Sequence, residues 1–404
     1  MLITNPKFSI IVFIISPLLP NIFHPVNVPA FNVINVCFIA CLFSIISYKI
    51  KTGHTLIYLP RRYIFVFIMF NILLFIGSFN FNEIIYPNIA QSLISNYFKP
   101  VIIILTYIFV YNYGKNFDIL HLYKIFSLII ICILITFFID KVVYGVANKE
   151  YSGFLGTGNS VGNYLVCCLP LTLFIKNHIS KNLYAKVLPL LIILAIFISG
   201  SRGSILSLLI ISILYFIIFL NVNRYTKIFY IFISFSIIMI FLSQSGYLYD
   251  AIDYLDSAPI LSYQYWNDSE LMVETSGRLS IWSNLFIFVQ ENNYILFGAG
   301  IDNFLKVSDY NTQNHLLKLL VDYGIISMLL IVGAYIYVII VLLRYRYNTN
   351  SKLISDFIKL FILSIVAVSI IGCFSHFALG SRIMSIYWMQ FGLFLYYTAK
   401  KERL

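Results

Sequence analysis

The sequence predicts an all-α fold: a polytopic membrane helix bundle of about twelve transmembrane helices, with one long outer loop that contains an amphipathic helix. Three observations carry this. Hydrophobic residues make up 60% of the 404 and charged residues 11%, whereas a soluble domain carries roughly a quarter charged residues. The apolar residues come in runs of about 20, the length at which a helix satisfies its own backbone across the hydrocarbon of a bilayer. The basic residues cluster in alternate breaks between those runs, as orientation by positive charge requires.

In chain order, the apolar runs predict spans near 8–23, 29–48, 63–79, 98–113, 125–145, 160–175, 185–200, 203–221, 227–243, 315–343, 357–376 and 382–398. The first run follows one Lys and contains Pro17 and Pro20 without a small-residue cleavage site, so it reads as a retained span. With the first span starting inside, one set of breaks holds Lys7, Lys49, Lys51, Arg61, Arg62, Lys115, Lys124, Lys176, Lys181, Lys186, Arg224, Lys227, Arg344, Arg346, Lys352, Lys359, Lys400, Lys401 and Arg403. These are most of the 27 Lys and Arg, and they place both termini in the cytoplasm. The net charge of +11 is therefore a topology signal; it forms no continuous basic face, so no nucleic-acid partner is expected. Cysteines 37, 41, 132, 167, 168 and 373 fall in apolar runs without metal-ligand spacing and read as small interior residues.

Residues 1–404 are expected to form a single membrane domain. Two outer connections are longer than the rest, one near 80–97 and one over 244–314. The long one carries Trp266, Trp282, many Tyr and Phe, and Asp250, Asp253, Asp256, Asp268, Glu270 and Glu274, so it is expected to fold onto the membrane and not to hang free. Within it, 278–290 sets Ser280, Ser283, Asn284 and Gln290 on one helical face and Trp282, Leu285, Phe286 and Val289 on the other, a pattern suited to the outer interface. No internal repeat and no Walker-type nucleotide loop is present, which argues against coupling to nucleotide hydrolysis.

The cations left on the outer side are few. Arg202 lies in Ser199-Gly200-Ser201-Arg202-Gly203-Ser204, a tight turn whose small residues let backbone N–H groups approach an anion while the guanidinium grips it; the alternative is an interfacial Arg reaching for headgroups. Arg278 follows Thr275-Ser276-Gly277 at the entry of the amphipathic helix, where its charge adds to the positive helix end that binds phosphate; the alternative is a surface pair with Glu274. His315 follows Asn311-Thr312-Gln313-Asn314 and opens an apolar helix, with Lys318 and Asp322 on nearly the same face. The first turn favours a neutral imidazole, the form a general base requires, and the alternative is a structural histidine. His376 and Arg382 flank the last outer turn, and Ser152 to Asn159 form a glycine-rich outer turn before the sixth span; that segment reads equally as a plain interhelical connection. Two arginines and a histidine on one face suit group transfer from a lipid diphosphate: the arginines hold the leaving group and the histidine takes a proton from the attacking hydroxyl.

Three segments, in order, resemble the O-antigen polymerase and ligase superfamily of bacterial envelope enzymes. They are Ser199-Gly200-Ser201-Arg202-Gly203; Gly277-Arg278-Leu279-Ser280-Ile281-Trp282 leading to Gly298-Ala299-Gly300; and Asn314-His315-Leu316-Leu317 leading to Asp322-Tyr323-Gly324-Ile325. The resemblance covers roughly 150–390. It implies an inverting, metal-independent and cofactor-free glycosyltransferase, active on the periplasmic face of the bacterial inner membrane with a glycan on undecaprenyl diphosphate as donor. By resemblance Arg202 and Arg278 bind the diphosphate and His315 serves as base or acceptor-positioning group, which makes these three the catalytic set; Lys318, Arg382, His376 and Asn159 are further candidate contacts to diphosphate or glycan from their positions in the sequence. Before the sixth span the expected Asn-Pro-Asn is reduced to Gly158-Asn159. Membrane lipid is an implied partner, and a chain-length regulator protein is a partner class left open. The resemblance leaves the acceptor open too: a lipid-linked repeat unit for a polymerase, which the Ile-, Phe-, Asn-, Lys- and Tyr-rich composition favours, or lipid A core for a ligase. A flippase for the same lipid-linked oligosaccharide would place ionisable residues at span centres, and here those centres are almost free of charge. A membrane acyltransferase would pair an acid with His315, and the sequence offers none beside it.

Overall fold

The computed structural model describes residues 6–15, 33–53, 68, 71–72, 75, 79–85, 88–113, 119–145, 155, 157–178, 182–219, 278–308, 314–347, 351–374 and 382–402. The expected span at 227–243, the first part of the long loop and most of the span at 63–79 lie outside them. The described elements are helical: α1 (Pro6–Ile15), α2 (Val33–Thr52), α3 (Lys99–Tyr113, preceded by a π-helical turn Leu93–Phe98), α4 (Ile119–Tyr144), α5 (Gly158–His178), α6 (Leu183–Ile198), α7 (Arg202–Phe219), α8 (Arg278–Glu291), α9 (His315–Tyr347), α10 (Lys352–Phe374) and α11 (Arg382–Glu402). Among the described residues four helices are long and apolar enough to cross a membrane, over Tyr123–Tyr144, Gly158–His178, His315–Arg346 and Lys352–Cys373, and Leu183–Ile198 and Gly203–Phe219 are shorter apolar helices.

Burial ranks these helices from centre to rim. In α5, 83% of the spanning window is buried, against 24% in α9, and α5 has the lower mean hydropathy, 1.3 against 2.8; in a bilayer the less apolar helix, here with Asn163 and Thr172 turned inward, is the one shielded by protein. α5 packs against α4, α6, α7, α10 and α11, and Val161, Leu165, Cys168 and Phe174 fill the contact. α4 instead shows Leu128, Ile135 and Ile139 on one exposed stripe, which a bilayer covers and water would not. α3 and α11 form the other large contact, with Tyr107 set between Trp388 and Phe391 at ring separations of 5.8 and 5.5 Å. Cys41, Cys167 and Cys168 are interior, as expected, whereas Cys132 and Cys373 are exposed.

Cross-helix contacts define two ends of the bundle. His178, closing α5, lies 3.4 Å from Asp356 in the first turns of α10, so α5 and α10 run antiparallel. Lys359 of α10 sits 4.8 Å over the ring of Phe219, which closes α7, and Tyr345 near the end of α9 meets Phe394 towards the end of α11. The starts of α5, α7, α9 and α11 and the end of α10 therefore share the opposite end.

Candidate functional site

At that end the serine-glycine turn between α6 and α7 is a docked structure. Ser199, Ser201 and Ser204 are buried and spend their hydroxyls locally: Ser199 Oγ donates to the Ile196 carbonyl at 2.7 Å, the Ser201 and Ser204 hydroxyls bond each other at 2.7 Å, and Ser204 Oγ reaches Asn163 Oδ1 of α5 at 2.8 Å. The turn can approach because α5 presents Gly162: a Cβ there would stand 2.7 Å from both Ser199 Oγ and Ser204 Oγ. Arg202 opens α7 from this fixed turn. Asn159 lies one turn away on α5, exposed, in a first turn capped by Thr157, whose Oγ1 accepts from the Ser160 N–H at 3.3 Å.

His315 opens α9 and is buried, at 5% exposure. Asn314 is its N-cap, as the polar stretch predicts: its Oδ1 accepts from the N–H groups of Leu316 (2.9 Å) and Leu317 (3.1 Å). The same amide donates from Nδ2 to the carbonyl of Cys373 at 3.2 Å, which ties the start of α9 to the end of α10. The chain thus passes three residues from Cys373 to His376, itself outside the described residues, and returns at Arg382, the first residue of α11.

The helix that carries His315 is broken. Gly324 has φ 80° and ψ 172°, a conformation open only to glycine, and it divides α9 into an arm, residues 315–323, and a spanning segment, 325–347. A helix break frees backbone groups that must find partners. They find them in the connection that follows α8: the carbonyls of Val321 and Asp322 accept from Ala299 N–H (2.6 Å) and Gly300 N–H (3.2 Å), and Ile325 N–H donates to the Ile295 carbonyl (2.8 Å). Contact is so close that a Cβ on Gly298 would stand 2.6 Å from the backbone nitrogens of Tyr323 and Gly324. Behind it, Ile281, Leu285 and Val289 of α8 pack with Ala299, Phe304 and Val321 in a second small core. The apolar face of α8 is therefore covered by protein; its buried stripe runs through Ile281, and Phe286 points outward, 52% exposed.

Charge fastens the same junction. Lys318 Nζ lies 2.5 Å from Asp302 Oδ1 and 2.9 Å from Asp322 Oδ2, and the Asp302 N–H donates to Asp322 Oδ1 at 3.2 Å. Lys318, a sequence candidate for an anion contact, is thus engaged by two carboxylates that more than neutralise it. Next to this triad the connection around residues 80–82 and the one that follows α8 are knitted together. Ile301 N–H donates to the Asn80 carbonyl (2.8 Å) and Asn82 N–H to the Ile301 carbonyl (3.1 Å), while the side chains of Asn80, Asn82 and Asn303 bond the carbonyls of Ala299 and Asp302.

The structure thus brings the backbone positions of Asn159, Arg202, His315 and Arg382 to one end of the bundle, and Arg278 starts a helix that rests on the His315 arm. Sequence reasoning missed Asn80, Asn82, Asp302 and Asn303. The signal available for them was the length of both connections, and no motif marks them.

Antiparallel apolar helices, four of them among the described residues long and apolar enough to cross a bilayer, define a multi-pass membrane protein. More particularly, residues 187–332 match the O-antigen ligase family model (Wzy_C), and over these residues, which include Arg202, Arg278 and His315, the chain carries a domain of that family. No curated protein matches the chain.

Proposed function

We propose that this protein is a surface-polysaccharide polymerase: a glycosyltransferase that moves a growing glycan from undecaprenyl diphosphate onto a lipid-linked repeat unit at the periplasmic face of the bacterial inner membrane. In this reading the chain crosses the bilayer about twelve times with both termini in the cytoplasm. Arg202 and Arg278 hold the diphosphate by charge-assisted hydrogen bonds. His315 removes the proton from the acceptor hydroxyl as its oxygen attacks the anomeric carbon; the bond from that carbon to the diphosphate breaks, and undecaprenyl diphosphate leaves with its charge held by the arginines. Inversion at the anomeric carbon follows from a single displacement. Arg382, His376 and Asn159 border the substrate, and Lys318 acts through the arm that positions His315.

The observation that carries this reading is that one family domain spans the Arg202 turn, the Arg278 helix and the His315 arm, with the first and last at one end of the bundle. A second reading, ligation of the finished glycan to lipid A core, is favoured by the description that the family model bears, O-antigen ligase. Both are tested by deleting the chromosomal copy and restoring wild type, Arg202→Ala, Arg278→Ala or His315→Ala at matched membrane levels. Polymerase function leaves single repeat units on the acceptor and no ladder. Ligase function leaves long chains on undecaprenyl diphosphate and no surface glycan. An unchanged ladder in all three variants removes these residues from the mechanism.

A further inference from the structure

We infer that the turn Ile295-Leu296-Phe297 is a membrane seat: its side chains insert into the outer edge of the lipid bilayer and fix the depth of the His315 arm. The three side chains are 45%, 54% and 79% exposed, an apolar tip that in water would carry a substantial cost. What covers it follows from the level at which it is held. Ile295 bonds by its carbonyl to the N–H of Ile325 at 2.8 Å, and Ile325 is the first residue after the break in α9. From Ile325 to Leu343 there is no charged residue, and Arg344 and Arg346 follow. Such a run of roughly 20 helical residues covers about 30 Å, the hydrocarbon thickness itself. With the arginines at one headgroup layer, Ile325 stands at the other boundary of the hydrocarbon, and the turn bonded to it stands at the same depth.

The surrounding residues agree with that level. Glu291, Asn292 and Asn293, which precede the turn, are polar and exposed, as at a headgroup layer. The Lys318, Asp302 and Asp322 triad belongs to the arm and its loop, on the far side of Gly324 from the spanning segment. Ile326, Leu329 and Leu330, in the first turns of that segment, are themselves exposed apolar side chains that lipid must cover, so the turn extends a lipid-facing surface already required. The inference needs the chain to be a membrane protein and does not depend on the reaction proposed above.

The test is fluorescence quenching of Phe297→Trp and, as a second reporter, Leu296→Trp, in the full chain reconstituted in bilayers, with the emission of the three native tryptophans subtracted from a wild-type sample. Glu291→Trp is the control. Lipids brominated near the top of the acyl chain are expected to quench most of the added emission at 297 and 296, and aqueous iodide to quench that of 291. Iodide quenching at 297 and 296 matching 291 overturns the inference, since the turn then lies in water. Quenching by neither agent also overturns it, since the turn is then covered by protein. Glycan polymerisation is measured on the same variants: a lost ladder with bromolipid quenching intact leaves the seat standing, and a normal ladder with iodide quenching removes the seat without touching the polymerase reading.

Discussion

A lysine held by two carboxylates at 15%, 14% and 4% side-chain exposure is a structural commitment before it is a binding group. Removing the cation alone leaves two partly or fully desolvated carboxylates facing each other, and breaking such a buried pair costs on the order of 3 kcal/mol. Lys318→Ala is therefore expected to loosen the arm, seen as faster amide hydrogen exchange over 296–303 and 315–323. Adding Asp302→Asn and Asp322→Asn to Lys318→Ala should recover much of the protection, because the repulsion is gone. Wild-type exchange in Lys318→Ala would show that the triad holds nothing. The triple variant separates roles as well: a lost glycan ladder with restored protection would return Lys318 to the list of substrate contacts. In the sequence, Lys318 and Asp322 were visible as neighbours on one helical face, but Asp302 was not, since it arrives from a loop whose path only the fold dictates.

At the scale of elements, the break in α9 is the feature on which the site depends. Gly324→Ala would force a Cβ into the backbone of Leu296 and Phe297 and an L residue into a glycine-only conformation, each a strain of about 1–3 kcal/mol. The expected outcome is detachment of the 294–301 connection: protease cleavage in 291–303 should rise sharply while the bundle keeps its helical content, and unchanged protection would mean that the break is not required. The apolar run 315–343 reads as one span because a single glycine within a helical pattern signals only a modest penalty. The amides that stabilise the break belong to Ala299 and Gly300, far along the chain from Val321 and Asp322, so no local pattern announces it. The helices α4, α5, α6, α7, α10 and α11 were legible because each is set by one continuous apolar run, though only α4, α5 and α10 of these are long and apolar enough to cross a membrane among the described residues. α8 was legible as a helix, and Leu285 and Val289 of its expected apolar face are buried with Trp282 packed beside them, but Ile281 joins that stripe and Phe286 leaves it, because its partner is the loop and arm and not a flat interface.

At the scale of the whole molecule, the two ends differ in charge in a way that bears on orientation. The end formed by the close of α5, the start of α6, the close of α9, the start of α10 and the close of α11 carries Lys176, Lys186, Arg344, Arg346, Lys352, Lys400 and Lys401. The site end carries Arg202, Arg278 and Arg382 at helix starts, Lys99 at the start of α3, Lys141 at the close of α4, Lys306 in the connection after α8, and a Lys318 that its carboxylates neutralise; the opposite end adds Lys49 and Lys51 at the close of α2, Lys124 in the first turns of α4 and Lys359 in α10. Loops rich in Lys and Arg stay in the cytoplasm during insertion, so the proposed function expects the site outside, where it would meet lipid-linked glycans. Green fluorescent protein fused at the C-terminus should therefore fluoresce, and alkaline phosphatase inserted between Asn292 and Asn293 should be active, since one folds only in the cytoplasm and the other only outside it. A dark fusion together with an inactive phosphatase would reverse the molecule. His315 and the arginines would then face cytoplasmic substrates, and the basic end would lie in the periplasm against the charge rule that governs the rest of the chain.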